Sequence, residues 1–389
     1  MIKNTIKKIK EYIFEEKILT VPVIFLIVLG IISFITWRLS VKYVQIADLC
    51  AETISFVLRF ILTQTTYFIP FSLAEFMLYI SIPTVLFLLF KYIFKIIHAP
   101  RDGKTKSVVF LKGIFRIIAF CGFAMFIFTF TFGVCYGKTP VNENKNMDFE
   151  RRLLSADDLY NALEILIDEV DEVSENIKYV YSNTGSTKMP YGLNEMNEKL
   201  NEAYKNMLSR HNLFRHIKSK VKPVILSVQM SKMHITGIYA FFTGEANLNI
   251  DFPDYNLPFT AAHEMAHLMG TAKEDEANFI AFLVCLYSND DYIKYSGLVN
   301  MTEYIKNALY RADKDKYYEI MGTVPSLVTE EIAAFSKFFE KYRDTKISKV
   351  ASVVNDTYLQ AQGQQHGVNS YGFVVDLTTV YLLEVYDKK

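Results

Sequence analysis

Residues 260–278, TAAHEMAHLMGTAKEDEAN, decide how the rest of this chain is read. They hold His263, Glu264 and His267 in the order H-E-x-x-H. Positions i and i+4 share one face of a helix, so two imidazoles there can grip one metal ion. Glu264 stands beside them, placed to handle the protons of a metal-activated water. The small residues Ala261, Ala262 and Ala266 surround the His pair, and Gly270 follows where a left-handed residue can end the helix. Glu274, Asp275 and Glu276 come next and open a second apolar helix.

Before this stretch the periodicity is that of a small sheet. Lys222-Pro223 precedes an apolar run over 224–228, residues 234–242 are rich in β-branched and aromatic side chains, and Thr243-Gly244-Glu245 reads as a turn into a return strand over 246–250. An antiparallel sheet is expected there, with an edge strand beside the metal helix on which an extended peptide can pair. Glu245 and His234 read as structural or exposed rather than catalytic. After the motif the pattern is helical, over 274–288, 290–310, 313–321, 326–342, 348–360 and 370–386, with a Gly-punctuated break at 362–371. Cys285 falls in one of these apolar runs and reads as a small buried hydrophobe. Further upstream, Ser155-x-x-Asp158 is a helix start, and a second helix is expected near 192–210.

The N-terminal third is different. Residues 18–37 form an uncharged apolar run long enough to cross a bilayer, ending at Trp37. Further runs cover 71–97 and 108–136. The milder segment 42–69, with Asp48, Glu52 and Arg59, is expected to be a re-entrant or interfacial helix. No small-residue cleavage site follows the first run, so it reads as a retained anchor. Two domains result: a membrane region over 1–136, and a mainly helical α+β domain over 137–389. Lys3, Lys7, Lys8, Lys10 and Lys17 precede the first span, and Lys91, Lys95, Arg101, Lys104, Lys106 and Lys112 follow the second. By the positive-inside rule both segments are cytoplasmic, which with three spans puts the second domain outside the cytoplasm; a fourth span at 42–69 would put it inside. The partners expected are a lipid bilayer and a protein or peptide substrate. With 42 Lys plus Arg against 42 Asp plus Glu, nothing in the charge suggests a nucleic-acid surface. Four Cys at this spacing form neither a zinc knuckle nor a disulfide framework.

A catalytic zinc takes three protein ligands and leaves one position for water. His263 and His267 supply two. On HEMAH and the EDEAN that follows it, the chain resembles zincin metallopeptidases of the gluzincin type. There a Glu on the following helix completes the site, and in several families an Asp or Asn four residues later orients a metal ligand. The resemblance implies Glu274 as third ligand, with Glu276 as the alternative, and Asn278 as the orienting group. Metzincins share the H-E-x-x-H-x-x-G start, but Lys273 stands where their third His belongs and no Met-turn follows. Site-2 proteases carry H-E-x-x-H inside a membrane span, whereas 258–270 is short and runs into the charges of 273–276. The whole layout, including Ser370-Tyr371-Gly372 near the end, is similar to a family of bacterial membrane proteins with three N-terminal spans and a gluzincin-like domain.

That resemblance implies a zincin-like fold, a zinc ion, and hydrolysis of peptide bonds by a multi-pass protein of the bacterial cell membrane. Glu264 would act as general base, with Tyr371 or His366 as donor to the oxyanion. His98, His211 and His216 read as surface or interfacial residues. A zinc-binding sensor or scaffold without turnover is the alternative, and the presence of Glu264 favours the enzyme.

Overall fold

In a computed structural model the structure describes residues 15–98, 100, 103–147, 149–177, 186–343, 349, 353, 357 and 373–386. The chain is mostly helical, with one small mixed sheet. Three helices are long and apolar enough to cross a bilayer, and they mark the chain as a membrane protein: α1 (Val21–Lys42), α4 (Leu73–Ile97) and α5 (Gly103–Thr131). Between the first two lie α2 (Val44–Cys50) and α3 (Phe56–Tyr67), joined through a π-helical turn at Ala51–Ser55. Helices α1 and α5 come into tight backbone contact at Gly30 and Gly122, where a methyl on Gly30 would overlap the Gly122 Cα.

The second half begins with α6 (Ala156–Asn176), whose start is a capping box. Ser155 Oγ accepts from the Asp158 amide at 3.1 Å, and the Asp158 carboxylate accepts from the Ser155 amide at 2.8 Å. Next come α7 (Leu193–His211), β1 (Val221–Pro223), α8 (Ser227–Lys232), β2 (Gly237–Ala240) and β3 (Glu245–Leu248). The H-E-x-x-H helix is α9 (Leu257–Leu268), followed by α10 (Glu274–Leu286), α11 (Asp291–Ala312), α12 (Lys314–Met321), α13 (Ser326–Glu340) and α14 (Val374–Tyr381). From Asp275 to Leu286 every residue of α10 is buried, so this is the central helix, apolar around most of its girth. It lies against α9, α11, α7 and α14, while the other side of α9 rests on β2 and β3. Tyr204 of α7 donates its hydroxyl to the Ala262 carbonyl at 2.6 Å, tying α9 into this core. Cys285 is buried as expected.

Three sequence expectations need correcting. The sheet is mixed, in the order β1-β3-β2: β2 pairs antiparallel with β3, but β1 runs parallel to it with Val221 opposite Ala246. Residues 224–228 are not a strand. The amides of Ile225 and Leu226 are taken by the Glu75 carboxylate at 2.9 and 2.8 Å, which turns the chain out of the sheet and into α8. The third span stops at Thr131 rather than 136, because Phe132, Val134, Cys135 and Tyr136 are buried in the core of the second half. Helices α2 and α3, in the stretch expected to be a re-entrant or interfacial helix, pack on that same core. Arg59, 2% exposed, donates to the carbonyls of Leu268 and Ala51 at 3.0 and 3.3 Å, and the Thr63 hydroxyl donates to the Gly244 carbonyl at 3.0 Å.

The start of α4 is fastened to the sheet as well. The amides of Leu73 and Ala74, free at a helix N-terminus, donate to Glu245 at 3.1 and 2.8 Å. Glu245 is also paired with Lys222, whose ammonium reaches the Thr66 carbonyl at 2.8 Å, and both side chains are shut off from solvent. Glu245 is therefore structural, as expected.

Candidate metal centre

Helix α9 starts with Pro258 in its first turn, where a missing N–H costs nothing, and ends at Gly270. Gly270 has φ +97°, its amide donates to the His267 carbonyl, and the Thr271 amide donates back to the Ala266 carbonyl at 3.0 Å. This reversal swings the Thr271 carbonyl under the helix, where it accepts a 2.7 Å hydrogen bond from His267 Nδ1. With the proton held on Nδ1, the His267 Nε2 lone pair is free to bind a cation.

His263 and His267 meet edge to face one turn apart, their rings 4.6 Å between centroids and nearly perpendicular. The two Nε2 atoms are 3.0 Å apart. Glu274, the first residue of α10, brings its Oε2 to 3.2 Å from His263 Nε2 and 3.5 Å from His267 Nε2. Metal–ligand bonds of 2.0–2.1 Å in a tetrahedron put neighbouring donor atoms about 3.3 Å apart. Two imidazole nitrogens and one carboxylate oxygen at this mutual spacing can hold a metal ion, and they are the one such group among the described residues.

The acidic trio divides cleanly. Glu274 faces the His pair. Asp275 pairs with Arg151 at 2.6 Å, and Glu276 is buried against Lys273 at 3.1 Å. Successive helical residues point 100° apart, so only one of the three can face α9. Asn278, one turn after Glu274, is 4% exposed, but its Nδ2 has no hydrogen-bond partner among the described residues, nor has His263 Nδ1. The orienting contact that is made goes through the Thr271 carbonyl instead.

Glu264 is 5% exposed and lies against the edge strand. A methyl on Gly237 of β2 would fall 2.5 Å from its Oε1. Its Oε2 has no hydrogen-bond partner among the described residues. Burial pushes its carboxyl up to about 7, against the pull of the two imidazoles. Burial also pushes the His267 imidazole down, but the Glu274 carboxylate overrides this and lifts it to about 9. For Glu274 the imidazoles win over burial and hold the carboxyl well below the usual range. The Tyr304 phenol on α11 is pushed up to about 12 by burial and by the charges of Glu303 and Glu274, which places it within electrostatic reach of the cluster.

Tyr371 and His366 lie outside the described residues. His211 is buried rather than superficial, its Nε2 3.0 Å from the Tyr381 hydroxyl, and His216 is half-buried with its ring against Tyr204. Both serve the packing of α7 and its C-terminal loop. His98 is exposed and stacked on Phe94, and His234 is exposed, its Nε2 3.1 Å from the Tyr342 carbonyl.

Three contacts that the sequence does not disclose complete the surroundings. They are the Thr271 carbonyl on His267, Arg59 beneath the end of α9, and the Phe132 ring 5.7 Å from the His267 ring. Of these, only Gly270 left a trace in the sequence, as the residue that permits the first.

Fold and site together define a membrane protein in which a mostly helical second half carries a largely buried His–His–Glu cluster, open at His263 and Glu274, beside a three-stranded sheet. The chain belongs to the DUF3810 family, described as a protein of unknown function, whose model matches residues 51–379 and so takes in the whole cluster. No curated protein and no solved structure matches the chain.

Proposed function

We propose that this chain is a membrane-anchored zinc metallopeptidase with a gluzincin-like site, cutting a protein or peptide of the bacterial envelope from the extracytoplasmic side. The observation that carries the reading is the convergence of His263 Nε2, His267 Nε2 and Glu274 Oε2 within 3.0–3.5 Å, with Glu264 buried alongside. Two neutral nitrogens and one carboxylate are the donor set of hydrolytic zinc sites with an open fourth position. A site that only stored or sensed metal would have no use for an inward-facing carboxylate with one oxygen free. The spans support membrane anchoring, and the clustering of Lys and Arg on the opposite ends supports the outward orientation.

Bound zinc would supply a water acidified toward neutrality and polarisation of the scissile carbonyl. The chain's own residues do the rest. Thr271 fixes the tautomer and ring angle of His267. Glu264 takes a proton on its free Oε2 and returns it to the leaving amine. The outer edge of β2 would hold an extended peptide beside Glu264 by main-chain hydrogen bonds. Tyr371 and His366 stay as candidate donors to the developing oxyanion.

Glu264→Gln is the test, because the amide keeps the shape and cannot accept the proton. The purified full chain should retain about one zinc per molecule and lose peptide hydrolysis by at least roughly a hundredfold. A variant as active as the wild type removes the peptidase reading. Zinc binding with no turnover in either protein returns the choice to a sensor or scaffold.

A further inference from the structure

We infer that the substrate is the segment of another membrane protein immediately next to its own transmembrane helix, cut within a few residues of the bilayer. This rests on the peptidase reading above and adds where along the substrate the cut falls.

The argument starts from how close the cluster lies to the span ends. Helix α5 leaves the apolar span at Thr131, and the very next residue, Phe132, puts its ring 5.7 Å from His267 and 5.3 Å from Tyr239 of β2. One turn back inside the span, Phe128 packs edge-on against Phe241, which directly follows β2, at 5.4 Å. The C-terminal end of the edge strand thus rests on the last turn of a membrane helix. The β1–β3 end of the sheet is held to the start of α4, where Glu245 accepts the Leu73 and Ala74 amides and Glu75 accepts those of Ile225 and Leu226. The end of α5 therefore meets the edge strand beside the cluster, the start of α4 holds the sheet through Glu245 and the turn after β1, and the sheet stands directly at the ends of two spans.

The surface chemistry agrees. Ile225 is 80% exposed, Ile238 of β2 51% and Phe242 43%. Apolar side chains this open, next to span ends, are at home in the headgroup region or against a chain emerging from it. Glu264 lies beside Gly237, at the far end of β2 from Phe241. At about 3.3 Å per residue these positions are roughly 13 Å apart. A polypeptide paired along β2 therefore passes from the bilayer boundary to Glu264 in about four or five residues. A substrate reaching the site from open solution must instead bring its chain down to the membrane surface.

The experiment uses the full chain in liposomes with zinc. A randomised peptide segment is fused to an apolar helix of about 20 residues, which anchors it in the same bilayer. In one form the fusion is direct. In the other a polyproline spacer of roughly 20 residues holds the segment about 60 Å off the surface. Both forms share one membrane concentration, so tethering alone cannot separate them. Products are read by mass spectrometry. The direct fusion should be cut at least about tenfold faster, with the cut within a few residues of the helix, because only it is presented at the height of the site. Equal rates for the two forms overturn the inference and leave the peptidase reading standing. Cleavage of neither form by zinc-loaded protein removes the peptidase reading and this inference with it.

Discussion

A single methyl group on Gly237 should disable the proposed chemistry while sparing the fold. Gly237 has no positive φ, so alanine suits its backbone. Its Cβ, however, would stand 2.5 Å from Glu264 Oε1, 2.6 Å from Cγ and 2.8 Å from Cδ. Ordinary contact begins near 3.4 Å, so the carboxylate must withdraw by about 0.9 Å, and a displacement of that size at a reacting group costs on the order of a hundredfold in rate. The obstructing atoms belong to a side chain that can rotate, so the overpacking cost to stability stays near about 1 kcal/mol. The assay compares Gly237→Ala with wild type for hydrolysis of a fluorogenic peptide library, zinc content and thermal unfolding. Gly192→Ala serves as control, since a Cβ there meets nothing within 4 Å. Expected are full zinc content, a small shift in melting and a hundredfold loss of turnover. If turnover stays within about threefold of wild type, the position of Glu264 does not govern the reaction and the assignment of the base fails.

Further outcomes follow from neighbouring contacts. Glu274→Ala should cost at least about tenfold in zinc affinity by equilibrium dialysis, whereas Glu276→Ala, which removes only the partner of Lys273, should leave it unchanged. Lys222→Met strands Glu245 in a closed environment and should destabilise the protein by about 3 kcal/mol in thermal unfolding. Glu245→Gln, whose single carbonyl oxygen can accept only one of the Leu73 and Ala74 amides and whose NH2 would face the other, should cost a comparable amount. Glu331 is fully buried, and burial lifts its carboxyl from 4.5 to about 7. Between those values the folded chain holds a proton that the unfolded chain has lost, so stability falls as pH rises through the window, by roughly 3 kcal/mol in all. Glu331→Gln should remove that slope, gaining on wild type at pH 8 and not at pH 4, as followed by melting temperature.

Much of the site was legible because its parts are local. The i, i+4 pair and Glu264 lie on one helix, and Gly270 marks where that helix ends. The choice between Glu274 and Glu276 was not legible, since it depends on the rotation of α10 about its axis, which packing sets. The Thr271 carbonyl is backbone and leaves no mark in residue identity. Arg59 read as a charge in a mild apolar segment, because its acceptor lies 209 residues away. Residues 224–228 have the composition of a strand, and only Glu75, far back in the chain, diverts them. Apolar composition likewise cannot tell a bilayer from a protein core, and so the apolar run outlasts the third span by the five residues that enter the core.

The seat of Arg59 beneath Leu268 bears on how modular this protein is. A head domain on a generic anchor can be cut free or moved to another anchor. Here the N-terminal third supplies Arg59, Phe132 and the helix start that Glu245 caps, so it is part of the head. A fragment beginning after the third span would leave the Leu268 carbonyl without its cation and the Lys222–Glu245 pair open to water. Exchange of the membrane region between distant relatives would succeed only if these contacts travelled with it. The end of α9 thus takes a contact from a residue some two hundred positions earlier, so its final form depends on the same stretch of chain that carries the spans.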